Sequence, residues 1–492
     1  LKKPRKAEDR VADRLSIEVT SRAEWDGDLL ISPAHAEEGS VTGRIGSEAG
    51  EIHFVERFEG QERAVQQTAV VSLGAVEKCT NEIIRRVGGM IANWLVKQEI
   101  YRTGIALAPL QALPIEGAIQ AVCEGLLLGA FRFDRHKTSV SDRKTVVVHL
   151  LAENGRGDLA KLACRVSAVI GGVNLARDWS HEPPNRINPV TLAERAERLA
   201  AGRGLVCTVL DERKLEGMGA GGILSVGAGS KSPPRLVILE WPGRGAGKRA
   251  KPIALVGKAI TFDTGGYSIK TKAAMPNMKF DKCAGMNIIG LMQVIADLAI
   301  NPRVVGIVAA AENMISGMAY RPSDIIDMLS GKTVEVISTD AEGRLILADA
   351  LAYAQKQYQP RALIDLATLT SGMVTALGRV RAGIMANDDS LAEALIASGE
   401  RTHELLWRFP LDDAYADQIK GDDSDLKNSG GTLATPVIGG VFLKQFVKDD
   451  VPWAHIDIAG TGRSMKELPY RSKGATGFGV RLLIDYLEGL DR

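Results

Sequence analysis

Apolar runs bounded by glycine, proline or charge recur along this chain, and between them lie stretches with three-to-four-residue apolar periodicity. Such alternation predicts an α/β protein. In the first third, strand-like stretches occur at Glu51-Ile52-His53-Phe54-Val55, Gly104-Ile105-Ala106-Leu107 and Thr145-Val146-Val147-Val148-His149-Leu150. They are interleaved with helical patterns over 77–97 and 115–128. The pattern predicts a polar tail over 1–15 and a small α/β domain over 16–155. A long amphipathic pattern over 156–180 predicts a connecting helix, stopped by the proline pair in His181-Glu182-Pro183-Pro184-Asn185. Residues 181–492 predict a second, larger α/β domain. Its strands are expected at 205–210, 235–240, 252–257, 304–309, 333–338, 362–366 and 453–458, with helices between them.

Two polar clusters follow apolar runs of that second domain. Pro252-Ile253-Ala254-Leu255-Val256-Gly257 leads into Lys258-Ala259-Ile260-Thr261-Phe262-Asp263, with Lys270 and Asp281 downstream. Val334-Glu335-Val336-Ile337 leads into Ser338-Thr339-Asp340-Ala341-Glu342-Gly343-Arg344. In an extended backbone alternate side chains share a face, so Asp340, Glu342 and Arg344 are expected to point into one space. Both clusters are expected at the carboxyl ends of strands, where open α/β sheets bind ligands. The plain alternative for the second cluster is a solvated turn.

Four carboxylates, Asp263, Asp281, Asp340 and Glu342, suit a pair of bridged divalent ions. Lys258 is compatible with two roles. It ligates as a neutral amine if buried near positive charge, or it pairs with Asp263. Lys270 and Arg344 remain as cations able to stabilise a tetrahedral intermediate. Arg344 also suits bicarbonate, through its planar fork, or a salt bridge that orients Glu342.

Composition narrows the classes. The 492 residues are 45% hydrophobic and 25% charged, as in ordinary globular proteins. A net charge of +1 argues against a broad nucleic-acid surface. No run approaches the roughly 18 apolar residues of a membrane span, so no membrane is expected. The basic start, Leu1-Lys2-Lys3-Pro4-Arg5-Lys6, leads into Ala7-Glu8-Asp9-Arg10 and no apolar stretch, which predicts no signal peptide and a cytoplasmic location. Five separated cysteines fit buried thiols in a reducing compartment, and Cys283 reads as a packing thiol. Two glycine-rich stretches are decoys. Gly217-Met218-Gly219-Ala220-Gly221-Gly222 follows a helical pattern, not a strand, and Gly243-Arg244-Gly245-Ala246-Gly247-Lys248-Arg249 lacks the hydroxyl residue of a phosphate loop.

The sequence resembles the M17 leucyl aminopeptidases, the cytosol aminopeptidase family. The matching segments are Val256-Gly257-Lys258-Ala259-Ile260-Thr261-Phe262-Asp263, Met278-Lys279-Phe280-Asp281, Thr339-Asp340-Ala341-Glu342-Gly343-Arg344-Leu345 and Asp365-Leu366-Ala367-Thr368-Leu369-Thr370. Ser424-Asp425-Leu426-Lys427-Asn428, Asp457-Ile458-Ala459-Gly460-Thr461 and Gly474-Ala475-Thr476-Gly477-Phe478-Gly479 match as well.

The resemblance implies a small macro-like N-terminal domain and a catalytic domain with a central mixed sheet. It implies two divalent ions per subunit, zinc or manganese. One would be held by Asp263, Asp340 and Glu342, the other by Lys258, Asp263, Asp281 and Glu342. A metal-bridging hydroxide would attack the scissile carbonyl of a peptide with a free N-terminus, leucine-like residues being preferred. Lys270 would polarise that carbonyl, and Arg344 would place bicarbonate. Met278 and Ala459 would line the pocket for the first side chain, with backbone contacts from Leu369 and Thr370. The implied assembly is a homohexamer. Ser338, His181, Ala284 and Ser371 depart from the family pattern; alanine and serine would crowd the last two positions if the backbone there took positive φ. The alternatives are a non-catalytic nucleic-acid-binding or scaffold homologue and, from the metal chemistry, a phosphoesterase.

Overall fold

The computed structural model describes residues 14–21, 25, 29–35, 48–55, 67–107, 110, 114–138, 144–152, 156–244 and 250–490. The chain forms two compact units. One comprises Leu1–Ile170 and Lys466–Lys473, the other Gly171–Met465 and Gly474–Arg492.

The first unit is built on β1 (Leu15–Ser21), β2 (Leu29–Ala34), β3 (Ile52–Val55), β4 (Gln67–Ser72), β5 (Arg102–Ala106) and β6 (Val146–Ala152). Their order is β1-β6-β5-β2-β4-β3, parallel except where β3 meets β4. Helices α1 (Asn81–Lys97) and α2 (Ile115–Gly129) belong to the same unit. The helical pattern over 77–97 resolves into a short 3-10 turn, Val76–Lys78, and α1, because the Thr80 side chain accepts from the Ile83 amide and starts the helix there. The returning segment packs on α1: Tyr470 Oη donates to Glu82 at 2.9 Å, and Asn93 donates to the Pro469 carbonyl at 2.7 Å.

Helix α3 (Arg156–His181) carries the division between units at 170/171, inside the helix rather than at either end of it. It is long and apolar enough to cross a membrane, contrary to the expectation that no run reaches that length. Its second half nonetheless buries Val173, Ala176, Arg177 and Asp178, and Arg177 donates to the Thr476 carbonyl at 2.9 Å. These are the marks of a helix packed within a protein core.

The second unit continues with α4 (Pro189–Ala201), β7 (Val206–Leu210), α5 (Glu212–Met218), α6 (Gly221–Gly227), β8 (Arg235–Trp241), β9 (Ile253–Asp263) and α7 (Cys283–Leu298). Then come β10 (Val304–Asn313), β11 (Ile325–Asp327), β12 (Thr333–Glu335), α8 (Glu342–Tyr358), β13 (Ala362–Ala367) and α9 (Ser371–Leu377). It closes with β14 (Ala382–Ala386), α10 (Asp389–Thr402), β15 (Leu406–Arg408), β16 (Leu426–Lys427), α11 (Thr435–Lys444), β17 (Trp453–Asp457) and α12 (Val480–Gly489).

Eight of these strands form a mixed sheet in the order β15-β14-β17-β13-β9-β10-β8-β7. The middle four, β17-β13-β9-β10, are parallel. Strands β9 and β10 are buried along nearly their whole length, as strands covered on both faces must be. Alternation sorts the side chains of β9. Val256 and Ile260 join the core that holds Leu345 and Ile346 of α8, while Gly257 and Ala259 face Gly285 of α7. Lys258 shares the parity of Val256 and Ile260 and so points toward α8.

Three local expectations are corrected. Strand β9 runs on to Asp263, so Lys258 lies mid-strand rather than at a strand end. Strand β12 stops at Glu335 instead of 338, because the Asn428 side chain takes the Ile337 and Ser338 amides that a neighbouring strand would otherwise bind. Not all thiols are buried: Cys79, Cys123 and Cys283 are, Cys207 is half-buried and Cys164 is exposed, all five free. The first glycine-rich decoy joins α5 to α6, with Gly219 at φ 77°, and follows a helix as expected. Most of the second, 245–249, lies outside the described residues.

Candidate active site

The four parallel strands end together, and the polar clusters meet there. Asp263 closes β9 and turns at once into Gly265 and Gly266, both at positive φ. A Cβ at Gly265 would stand 2.4 Å from the Ser268 carbonyl, so only glycine lets this loop fold back under Asp263. A 3-10 turn, Met275–Phe280, then delivers Asp281, with Met278 half-buried within it.

The signature segment reaches the same place by a route other than an extended strand. Ala341 N bonds the Ser338 carbonyl in a turn, and α8 starts at Glu342. Asp340 therefore sits in a turn, while Glu342 and Arg344 lie in the first helical turn. A carboxylate at a helix N-terminus is favoured by the peptide dipoles.

Two lysines bind the cage. Lys258 Nζ lies 2.8 Å from Glu342 Oε1 and 2.9 Å from Asp281 Oδ2, and it donates to the Thr368 carbonyl at 2.9 Å. Its stem lies against Gly343, where a Cβ would stand 2.6 Å from Lys258 Cε. Lys270 Nζ lies 2.7 Å from Asp263 Oδ2 and also bonds Asp340 Oδ1. The expected alternative for Lys258, a pair with Asp263, is thus filled by Lys270. One ligand oxygen from each of Asp263, Asp340 and Glu342 lies within 4.8 Å of the others.

Several supporting residues carried no role in the sequence reading. Asp263 Oδ1 accepts from Asn313 Nδ2 and the Gly265 amide, both at 2.8 Å. Thr368 Oγ1 donates to Asp281 Oδ1 at 2.7 Å. Tyr320 Oη and Asn313 both donate to the Thr339 carbonyl. Asn428 and Asp457 lie in segments that carry the family resemblance, but nothing in their spacing announces a hydrogen-bonding partner about ninety residues away in sequence.

Arg344 is buried, donates to the Asn428 carbonyl at 2.9 Å and lies over the Phe442 ring. Among the described residues it makes no ion pair with a carboxylate, so it is not the salt-bridge partner of Glu342. Burial lowers its pKa to about 10.

The charge balance tests whether cations fit. Burial, then the Glu342 and Asp281 carboxylates, push Asp263 up to about 8. Burial likewise raises Asp281 to about 6, against the pull of Lys258. Asp340 is raised by burial and Glu342. For Lys258, burial opposes the charge, but Asp281, Glu342 and Asp263 outweigh it and hold the amine protonated. Four acids face two ammonium groups, and burial together with mutual repulsion raises Asp263, Asp281 and Asp340. Divalent ions fit this donor set, and ligation by Lys258 would require the amine to lose its proton.

Ala284 and Ser371 are not strained. Ala284 lies in α7 and Ser371 opens α9, and neither has positive φ. Burial pushes the Cys283 thiol up to about 11, consistent with packing.

The catalytic-domain model of the cytosol aminopeptidase family matches residues 174–484, and the family's N-terminal domain model matches 31–139. A protein of Syntrophotalea carbinolica named "Probable cytosol aminopeptidase" is 45% identical over 85% of this chain and 85% of its own length. One of that name from Cenarchaeum symbiosum is 42% identical over 86% of each. Among solved structures, the bottromycin maturation enzyme BotP in complex with Mn superposes with a TM-score of 0.86 at 29% identity, covering 94% of this chain and all of its own. With both domains matched in chain order and relatives aligned over most of their length, the chain belongs to the cytosol aminopeptidase family.

Proposed function

We propose that this chain is a metal-dependent aminopeptidase that releases N-terminal residues, leucine-like ones preferred, from peptides with a free α-amine. The observation that carries the reading is the gathering of Asp263, Asp340 and Glu342, one oxygen of each within 4.8 Å of the others, at the family's matching segments beside the buried Asp281. In this proposal Asp263, Asp340 and Glu342 hold one divalent ion. Lys258, Asp263, Asp281 and Glu342 hold the other. When bound, the ions supply a Lewis acid for the scissile carbonyl and an activated water. Zinc and manganese both suit the mixed oxygen and amine set, and the structural relative bound to Mn supports the second.

The chain's own groups do the rest. Asp281 receives the substrate's α-amine. Lys270 donates toward the carbonyl oxygen as charge develops there. Arg344, buried and among the described residues without a carboxylate partner, would hold bicarbonate, an anion able to serve as proton acceptor there. Met278 and Ala459 line the pocket for the first side chain, and Leu369 and Thr370 offer backbone contacts. A hexamer and a cytoplasmic location belong to the same proposal, the latter supported by the relatives' names.

The test is an aminoacyl-arylamide panel before and after chelation, with zinc or manganese returned. Activity should vanish and recover. A leucyl amide and its N-acetyl form hydrolysed equally fast would overturn the aminopeptidase reading, and a hydrolysed phosphoester with inert arylamides would replace it.

A further inference from the structure

We infer that Asp457 is a positioning residue that sets the pocket for the substrate's first side chain, by holding Leu369 and Thr370 against Ala459. The inference rests on the aminopeptidase reading above. Asp457 is the last residue of β17 and stands opposite Ala367, the last residue of β13. Ile458 N to the Ala367 carbonyl, at 2.8 Å, is the final bond joining these chains before both turn away. Beyond it the next amides need acceptors from elsewhere.

Asp457 supplies acceptors for three of them. Its Oδ1 accepts from the Leu369 amide at 3.1 Å and the Ala459 amide at 3.0 Å. Its Oδ2 accepts from the Thr370 amide at 3.1 Å and from Thr370 Oγ1 at 2.8 Å. The side chain is fully buried, so water does not share the task. Oδ1 thereby ties two loops whose residues are some ninety positions apart, one bearing the proposed pocket residue Ala459 and the other the proposed backbone contacts of Leu369 and Thr370. Asparagine cannot replace this pattern. It offers one acceptor oxygen, and its amide hydrogens would face two of the four donors.

The experiment compares native protein with Asp457→Asn. In metal-free protein, amide exchange in the peptides covering 366–373 and 457–462 should quicken about tenfold, the factor expected for one lost hydrogen bond to a charged group. In metal-loaded protein, metal content should hold while KM for a leucyl arylamide rises more than KM for an alanyl one. Unchanged exchange, or an equal loss on both substrates accompanied by metal loss, overturns the inference. If Asp457→Asn does not fold, Thr370→Val removes only the hydroxyl donor. It should shift the leucyl-to-alanyl KM ratio the same way, and Thr370→Ser should restore it. Thr370→Val indistinguishable from native overturns the inference. A native protein inert on every arylamide instead overturns the aminopeptidase reading, and the exchange comparison still decides whether Asp457 holds the two loops.

Discussion

At the floor of the site, Lys258 projects from the middle of β9 with a side chain 3% exposed, pinned by the Thr368 carbonyl and by the backbone at Gly343. At the rim, Lys270 sits on a loop, 16% exposed, and its ammonium bonds the two carboxylates it neutralises. The acids differ in the same sense: the Glu342 side chain is 2% exposed and that of Asp340 is 40%. The floor is thus built from a strand and a helix start, which hold their geometry whatever occupies the site. At the rim the loop is tied by Lys270 N to the Thr264 carbonyl at 2.9 Å and Ser268 N to Thr339 Oγ1 at 2.8 Å, while the Lys270 ammonium is placed by the two carboxylates. An ion held by Asp263 and Asp340 would compete for those two partners of Lys270, whereas Lys258 keeps its place in β9.

The harshest way to break this contrast is Glu342→Ala. It should abolish turnover and metal uptake, because a ligand proposed for both ions is gone, while Lys258 keeps Asp281 as its partner in the metal-free protein. Activity assay and metal analysis read both. A variant with full metal content and near-normal rate would contradict the assignment of Glu342 as a ligand.

Next in size is the comparison of the two lysines. Lys270→Ala should retain metal and lose about 100- to 1,000-fold in kcat, as for removal of one oxyanion donor. Lys258→Ala should lose metal. If the outcomes are reversed, floor and rim have exchanged roles.

Arg344 sharpens the contrast from within the floor. Native enzyme in carbonate-depleted buffer should speed up on bicarbonate addition, and Arg344→Ala should be slow and indifferent to it. Native enzyme that ignores bicarbonate after thorough depletion leaves the guanidinium as packing.

The smallest effect is on stability against pH in metal-free protein. Asp263 at about 8 and Asp281 at about 6 lie above the ordinary carboxylate range. A raised pKa favours the protonated native state, so this contribution is complete below the ordinary aspartate value of 3.8 and is lost as pH rises from there through about 6 and then about 8. Tm should fall across that window, and added zinc or manganese should remove the slope. A flat Tm in the absence of metal would mean that the cage carries no surplus charge.

The α/β alternation and the meeting of the two polar clusters were legible because apolar runs and carboxylate spacing are local properties; the mixed sheet came from the family resemblance. The path into the site was less so. Lys258 interrupts an apolar run, so the strand seems to end at Gly257; it continues because Asp281 and Glu342, distant in sequence, neutralise the amine. The signature reads as alternation in a strand, yet Asn428 ends that strand early and a helix begins at Glu342. Asn313 and Asp457 were invisible for a related reason. Each is a single polar residue at the end of a buried strand, and its partners exist only once the sheet has assembled.

The segment Lys466–Lys473 bears on how this protein can be divided and recombined. Pro469 and Tyr470 supply α1 with hydrogen-bond partners although they lie 376 and 388 positions further along the chain than the residues they bond. A fragment cut after Ile170 would leave that face of α1 bare, and a chimera that exchanged only the N-terminal part would pair one parent's helix with the other parent's cover. Modular exchange of the first unit therefore requires two crossover points more than its position in the chain suggests, one on each side of 466–473.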